Sequence, residues 1–152
     1  GRSAGGVRAI TLDKDDEVVS MELDSTGERE LLVMTKKGFG KRTSLDEYRL
    51  QTRGGKGVST YDKTKFSKTG ELVGATLVSK DDEIMLINSN GVIIRIRANE
   101  ISKSGRTTQG VKIMKVESGD EIVSFAKVLD EDDASKPMTK KEKADSEQLT
   151  MV

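Results

Sequence analysis

Three copies of Arg-x-x-x-Gly-Val begin at Arg2, Arg53 and Arg106, 51 and 53 residues apart. A repeat of that length fixes the fold problem first, because one unit must satisfy its neighbours in the same way each time. The landmarks between the copies keep their order. DDEVVSMEL, TGELVGATLV and GDEIVSFAKV follow the three Gly-Val pairs, and ERELLVMTKKGFGKRTSLDEY aligns with KDDEIMLINSNGVIIRIRANEI. Lys37-Gly38 thus corresponds to Asn90-Gly91, Arg42 to Arg95 and Tyr48 to Ile101. The third unit lacks its second hairpin, since the chain turns acidic and polar after Val128.

Within each unit, short runs rich in Val, Ile, Leu and Thr alternate with turns at Thr26-Gly27, Thr69-Gly70, Ser89-Asn90-Gly91 and Ser118-Gly119. Such runs predict strands near 7–12, 17–23, 29–37, 40–45, 57–62, 71–78, 83–89, 92–98, 111–116 and 121–128. Asn90-Gly91 predicts a type I′ hairpin with positive φ at both central residues. Four strands per unit make an all-β, propeller-like chain of about two to two and a half four-stranded blades. The units span 1–52 and 53–104, with 105–129 a partial terminal repeat completing the preceding blade. Two and a half blades leave open edges, so strand exchange between two copies is an expected consequence. Residues 130–152 hold seven acidic residues against four lysines and few apolar ones, and are expected to be a largely disordered tail with at most a frayed helix near 139–147.

Composition removes much chemistry. The chain has no Cys and no His, which excludes thiol and histidine metal ligands and Ser-His-Asp or Cys-His catalysis. No run approaches the ~18 apolar residues of a membrane span, so the protein is expected to be cytoplasmic. The start GRSAGGV, without Met, reads as an excised fragment beginning in mid-motif.

The glycine-rich run QTRGGKGV, Gln51 to Val58, invites a nucleotide-loop reading. It lacks the first glycine of G-x-x-x-x-G-K-[ST], carries Gly57 where a hydroxyl must hold magnesium, and leads into a strand-like segment rather than a helix. A dinucleotide fingerprint fails for want of the same helix. The acidic runs Asp13-Asp15-Glu17 and Asp130-Asp132-Asp133 lack the glycine and closing Glu of a calcium loop. Tyr48 beside Arg49 resembles a nucleophile with a cationic neighbour, but Ile101 at the equivalent position asks for an apolar side chain in the core.

The cations point elsewhere. Net charge is zero overall, yet residues 1–129 carry a net +3, and between Lys36 and Gly57 seven basic residues face only Asp46 and Glu47. Arg2, Arg53 and Arg106 share one repeat position, and Arg42 matches Arg95. Arg95 and Arg97 fall about 7 Å apart on one strand face, a separation at which two guanidinium groups reach successive phosphates. With 3% aromatic residues and no Trp, stacking of unpaired bases is disfavoured, leaving contact with a duplex backbone. Gly54, Gly55 and Gly57 would let that backbone approach main-chain N–H groups beside Arg53 and Lys56.

The strings GRSAGGVRAITL, KKGFGKRTSLDEYRLQTRGGKGV and SNGVIIRIRANEISKSGRTTQGVKIMKV, followed by an acidic tail, closely resemble the C-terminal domain of the bacterial DNA gyrase A protein over Gly1 to about Val128. The resemblance implies a partial β-pinwheel, a propeller relative, whose basic rim wraps duplex DNA to support ATP-dependent negative supercoiling by an A2B2 type II topoisomerase. It further implies that the gyrase B protein and the rest of the gyrase A protein are partners, and that catalytic residues, metal and ATP site lie outside this chain, which needs no cofactor. Gln51, Thr52, Arg53, Gly54, Gly55, Lys56 and Gly57 look like a degenerate copy of the family's QRRGGKG box, with Thr52 replacing its first Arg. The DNA-contacting set expected on these grounds is Arg2, Lys36, Lys37, Lys41, Arg42, Arg49, Arg53, Lys56, Arg95, Arg97 and Arg106. A purely structural or protein-interaction repeat, or the equivalent domain of topoisomerase IV, is the alternative.

Overall fold

The computed structural model describes residues 2–24 and 27–128, so the expectations for the acidic tail lie outside the described residues. Among the described residues seven strands form: β1 Glu30–Thr35, β2 Phe39–Ser44, β3 Leu72–Val78, β4 Glu83–Asn88, β5 Ile93–Arg97, β6 Val111–Lys112 and β7 Ile122–Lys127. They make two antiparallel sheets, ordered β3-β1-β2-β6 and β5-β4-β7. The architecture is all-β and blade-like, as the repeat predicts.

Each sheet is assembled across repeat boundaries. The β1–β2 hairpin of the first unit takes β3 from the second, with Leu32 opposite Thr76, and the β4–β5 hairpin takes β7 from the third, with Leu86 opposite Phe125. The edge strand β6 belongs to the third unit yet pairs with β2 of the first, Gly40 facing Val111. A strand at the β3 position therefore needs the hairpin one unit earlier, and a strand at the β6 position needs the hairpin two units earlier.

Three predicted strands do not form. Residues 17–23 occupy the β3 and β7 repeat position but pair with neither described hairpin. Ser20 reaches the Ala75 carbonyl with its hydroxyl alone, and Val19, Met21 and Leu23 are 63, 92 and 83% exposed. Residues 7–12 and 57–62 occupy the β6 position and also join neither sheet. The first of these instead lies along the glycine loop, Gly54 N–H donating to Ala9 and Thr11 N–H to Gly55, each at 2.9 Å. After 57–62 the chain turns into a short helical segment unforeseen by strand periodicity: Asp62 accepts from Thr64 N–H and caps residues Lys63–Lys65, which run into α1, Phe66–Thr69. The expected strand 111–116 shortens to the two residues that face β2.

The core lies between the sheets. Leu32, Met34 and Val78 on one face of the first sheet meet Ile84, Leu86, Ile94, Ile96 and Phe125 of the second, and Ala98, Ile101, Met114 and Ile122 close the rim. Strand β4 reads partly buried, buried in strict alternation, as a half-buried strand must. Strands β1 and β2 are buried on both faces, because Tyr61 and the loop 104–110 cover the side away from the core.

The hairpin turn also differs from the expected type I′. Only Gly91 has positive φ, 79°; Gly91 N–H donates to the Asn88 carbonyl at 3.0 Å and Asn88 N–H to Val92 at 3.1 Å, the pattern of a type I turn closed by a glycine bulge. At Gly110, φ is 74° and a Cβ would stand 2.4 Å from the Gly40 carbonyl oxygen. Gly110→Ala is therefore expected to cost about 2–5 kcal/mol in urea unfolding, from strained backbone and a clash with main chain that cannot move alone. Gly91→Ala, with open space around its Cβ, is expected to cost about 1–2 kcal/mol; equal losses at the two sites would contradict the packing at β2 and β6.

Candidate nucleic-acid interface

Three glycine-containing loops of the repeat carry the recurring arginine; Arg2 and Arg53 are exposed, whereas Arg106 is half-buried. In the loop 51–57, a turn closes from Gly55 N–H to the Thr52 carbonyl, and Thr11 ties the loop to the first unit through its hydroxyl on the Gly54 carbonyl at 2.5 Å. Those bonds hold Gly54 and Gly55 against residues 9–11 and turn Arg53 and Lys56 outward; both are exposed. Lys56 pairs with Asp13 at 2.8 Å, which raises the pKa of the ammonium and lowers that of the carboxyl. Gln51 folds back onto the Arg49 and Leu50 carbonyls, leaving Arg49 exposed beside it.

The loop 104–110 is a joint. Its Arg106 is half-buried, its N–H donating to Glu47 Oε2 at 2.8 Å and its guanidinium to the Ser59 carbonyl, so one residue links all three units. Beneath it Lys41 is fully buried, with Nζ donating to the Gly105 and Arg106 carbonyls at 2.7 and 2.5 Å and lying 5.5 Å from the Tyr61 ring centroid. Burial, and secondarily the charge of Arg106, push the Lys41 ammonium down to about 8 against the opposing pull of Glu47. Tyr61 donates its hydroxyl to the Gln109 carbonyl and stacks on Phe66 at 5.7 Å. Tyr48, expected in the core, is half-buried and hydrogen-bonded through its hydroxyl to Thr60, whereas Ile101 is buried outright.

Arg42 is likewise turned inward. It pairs with Glu30, which also meets Lys103 at 2.9 Å, and donates from Nε to the Ile101 carbonyl at 2.8 Å. Burial pushes the Glu30 carboxyl up, but the Lys103 hydrogen bond and the charges of Arg42 and Lys103 outweigh it and hold the group below its ordinary value. Lys41, Arg42 and Arg106 were expected on the DNA-facing rim; the structure engages all three in holding units together. The recurrence of Arg42 at Arg95 has the same origin, because Arg95 pairs with Glu83 as Arg42 pairs with Glu30. The difference is exposure: Arg95 lies on the open face of β5 beside Arg97.

Of the expected set, Arg2, Lys37, Arg49, Arg53, Lys56, Arg95 and Arg97 are exposed, with Lys36 half-buried and paired to Glu71 at 3.1 Å. Lys68 and Lys112, absent from the expected set, stand 5.9 and 5.4 Å from the Phe39 ring centroid. Spacing could not find them, since 68, 112 and 39 belong to three different units. Among the described residues no helix is long and apolar enough to cross a membrane.

A family model described as "DNA gyrase C-terminal domain, beta-propeller" matches residues 1–23, 29–79 and 82–128. The stretch 29–79 contains β1 to β3 of the first sheet, and 82–128 contains the whole second sheet together with β6, the edge strand of the first. The DNA gyrase A protein of Staphylococcus epidermidis is 44% identical over 134 residues, covering 88% of this chain and 15% of that protein. Its counterpart in Thermotoga maritima is 44% identical over 130 residues, covering 85% and 16%. The chain thus spans about 15% of the length of these relatives. Of solved structures, a DNA gyrase A C-terminal domain aligns with TM-score 0.62 at 31% identity, covering 66% of this chain and 33% of that one. The C-terminal domain of a DNA topoisomerase IV aligns with TM-score 0.75 at 25% identity, covering 94% and 42%.

The two Arg–Glu pairs should differ in energy although they share a repeat position. Removing one partner of a buried pair leaves an uncompensated charge, so Arg42→Met is expected to cost about 3–5 kcal/mol in urea unfolding. Arg95→Met at the exposed pair is expected to cost under ~1 kcal/mol. Equal effects would show that Arg42 is not the buried link between the units.

Proposed function

The chain belongs to the DNA gyrase C-terminal domain family, and from that premise we propose that its exposed cations bind the phosphate backbone of duplex DNA and help to wrap it. The single observation that carries this reading is the outward placement of Arg53 and Lys56 on a glycine loop whose bonds to residues 9–11 fix its backbone. Such a loop offers charge and close main-chain approach without base-reading side chains, so sequence preference should be weak. Bending a duplex by 40–90° over 20–30 bp costs of order 1–6 kcal/mol, and dispersed phosphate contacts along several loops offset it. Within a full gyrase A protein, assembled with the gyrase B protein, the domain would support ATP-dependent negative supercoiling in a bacterial cytoplasm. The chain itself carries no catalytic role in this reading and needs no cofactor. The exposed apolar side chains at 18–23 favour a second reading, a repeat that docks on protein.

Duplex binding through about six phosphates predicts that affinity falls roughly 10³-fold between 50 and 200 mM salt. Arg53→Ala combined with Lys56→Ala should lower the magnitude of the log–log salt slope by about 1.8 while the β circular-dichroism spectrum is unchanged. Salt-independent affinity measured by fluorescence anisotropy would reject the reading.

A further inference from the structure

We infer that Lys37, Lys68 and Lys112, gathered round Phe39, form a further phosphate-binding station for duplex DNA, distinct from the glycine loop 51–57. The inference rests on the duplex-binding reading and names a place where that reading acts. The three lysines come from three units. Lys37 sits in the β1–β2 turn, Lys68 in α1, and Lys112 on β6, directly opposite Phe39. Lys37 Nζ donates to the Ser67 carbonyl at 2.7 Å, which draws it towards α1. The ammonium groups of Lys68 and Lys112 both lie against the Phe39 ring, and the three side chains line an open cleft of about 400 Å³ completed by residues 116–120.

The three lysines line one cleft, and none of them takes part in an ion pair among the described residues. Two carboxylates share the cleft, Glu117 and Asp120. Asp120 is engaged already, accepting from the Ser89 hydroxyl, the Asn88 amide and Glu121 N–H, and the Ser89 bond foremost holds its pKa below the ordinary range. The blade does not need this arrangement to fold. At the same repeat positions one unit on, the chain carries Asn90 and Val92 in the second hairpin and Glu117 ahead of β7, in place of Lys37, Phe39 and Lys68.

The chemistry selects a backbone phosphate. Lysine is a flexible point charge that contacts phosphate without directional demands, and it carries no base information. Phe39 is 9% exposed with two ammonium groups beside its ring, so it offers no platform to an unpaired base. Lys112 lies on the edge strand that directly continues the loop 104–110, the repeat counterpart of the glycine loop 51–57.

The test is fluorescence anisotropy of a mixed-sequence 30-bp duplex against the whole chain over a salt series, with Lys68→Gln/Lys112→Gln as the variant. The expected result is a salt slope smaller in magnitude by about 1.8 and binding roughly ten- to a hundredfold weaker at 100 mM salt, with unchanged circular dichroism. Should the double variant lose its β spectrum, Lys68→Glu on the exposed helical turn carries the same test with a slope change of about 0.9 or more. A salt-dependent wild type whose slope is unaltered in the variant overturns this inference and leaves the duplex reading standing. A wild type with no salt dependence defeats the duplex reading itself. A variant that keeps duplex affinity but loses binding to a hexaglutamate peptide assigns the cleft to an acidic protein segment and overturns the inference as well.

Discussion

Backbone pairing between a hairpin of one unit and a strand of a later unit is the interaction on which the rest depends. An antiparallel hairpin standing alone leaves two rows of N–H and C=O groups unpaired, and two strands are marginal in water. Here β3 and β7 cover one edge of each hairpin, and β6 covers the second edge of the first. Because every partner lies one or two units downstream, no unit is a separate domain. The core between the sheets, Leu32 and Met34 against Ile84, Leu86 and Phe125, exists only when the pairing has set the sheets face to face. The burial of Arg42 and Lys41 follows too, since the carbonyls that receive them, Ile101, Gly105 and Arg106, arrive with the next two units.

That dependence divides the cations by what surrounds them rather than by where they recur. Arg42 and Arg95 are repeat equivalents with equivalent glutamates, yet one is sealed between units and the other faces solvent. Arg53 and Arg106 are equivalents as well, and one is free to meet a polyanion while the other bonds Ser59 and Glu47. Recurrence of a charge is therefore evidence of a shared structural position. Its availability to a ligand depends on whether a later unit covers it. The cluster at Phe39 is the converse case, charges that do not recur and that the scaffold leaves unpaired.

Much of the fold could be read along the chain, because period-2 runs and turn residues are local signals. The strands β1 to β5 and β7 stand within a residue or two of their expected bounds at most ends. What could not be read is who pairs with whom. Residues 17–23, DDEVVSMEL in part, have the same alternation as the segments that become β3 and β7, and remain unpaired because alternation says nothing of whether a partner edge exists. The short helix at 63–69 hides behind Asp62, a cap whose signal lies in one side chain. In the proposed interface, Arg53 and Lys56 were flagged by glycine-rich local chemistry. Lys68, Lys112 and Phe39 were not, since only the tertiary path brings them together.

Amide hydrogen exchange of the native chain tests the pairing most directly, because protection reports the cooperative unit to which each strand belongs. The account predicts that β3 is protected to the same free energy as β1, and β7 as β4, while amides of 17–23 exchange close to the unfolded rate. Protection of 17–23 equal to that of β3, or a β7 that opens independently of β4, would contradict it.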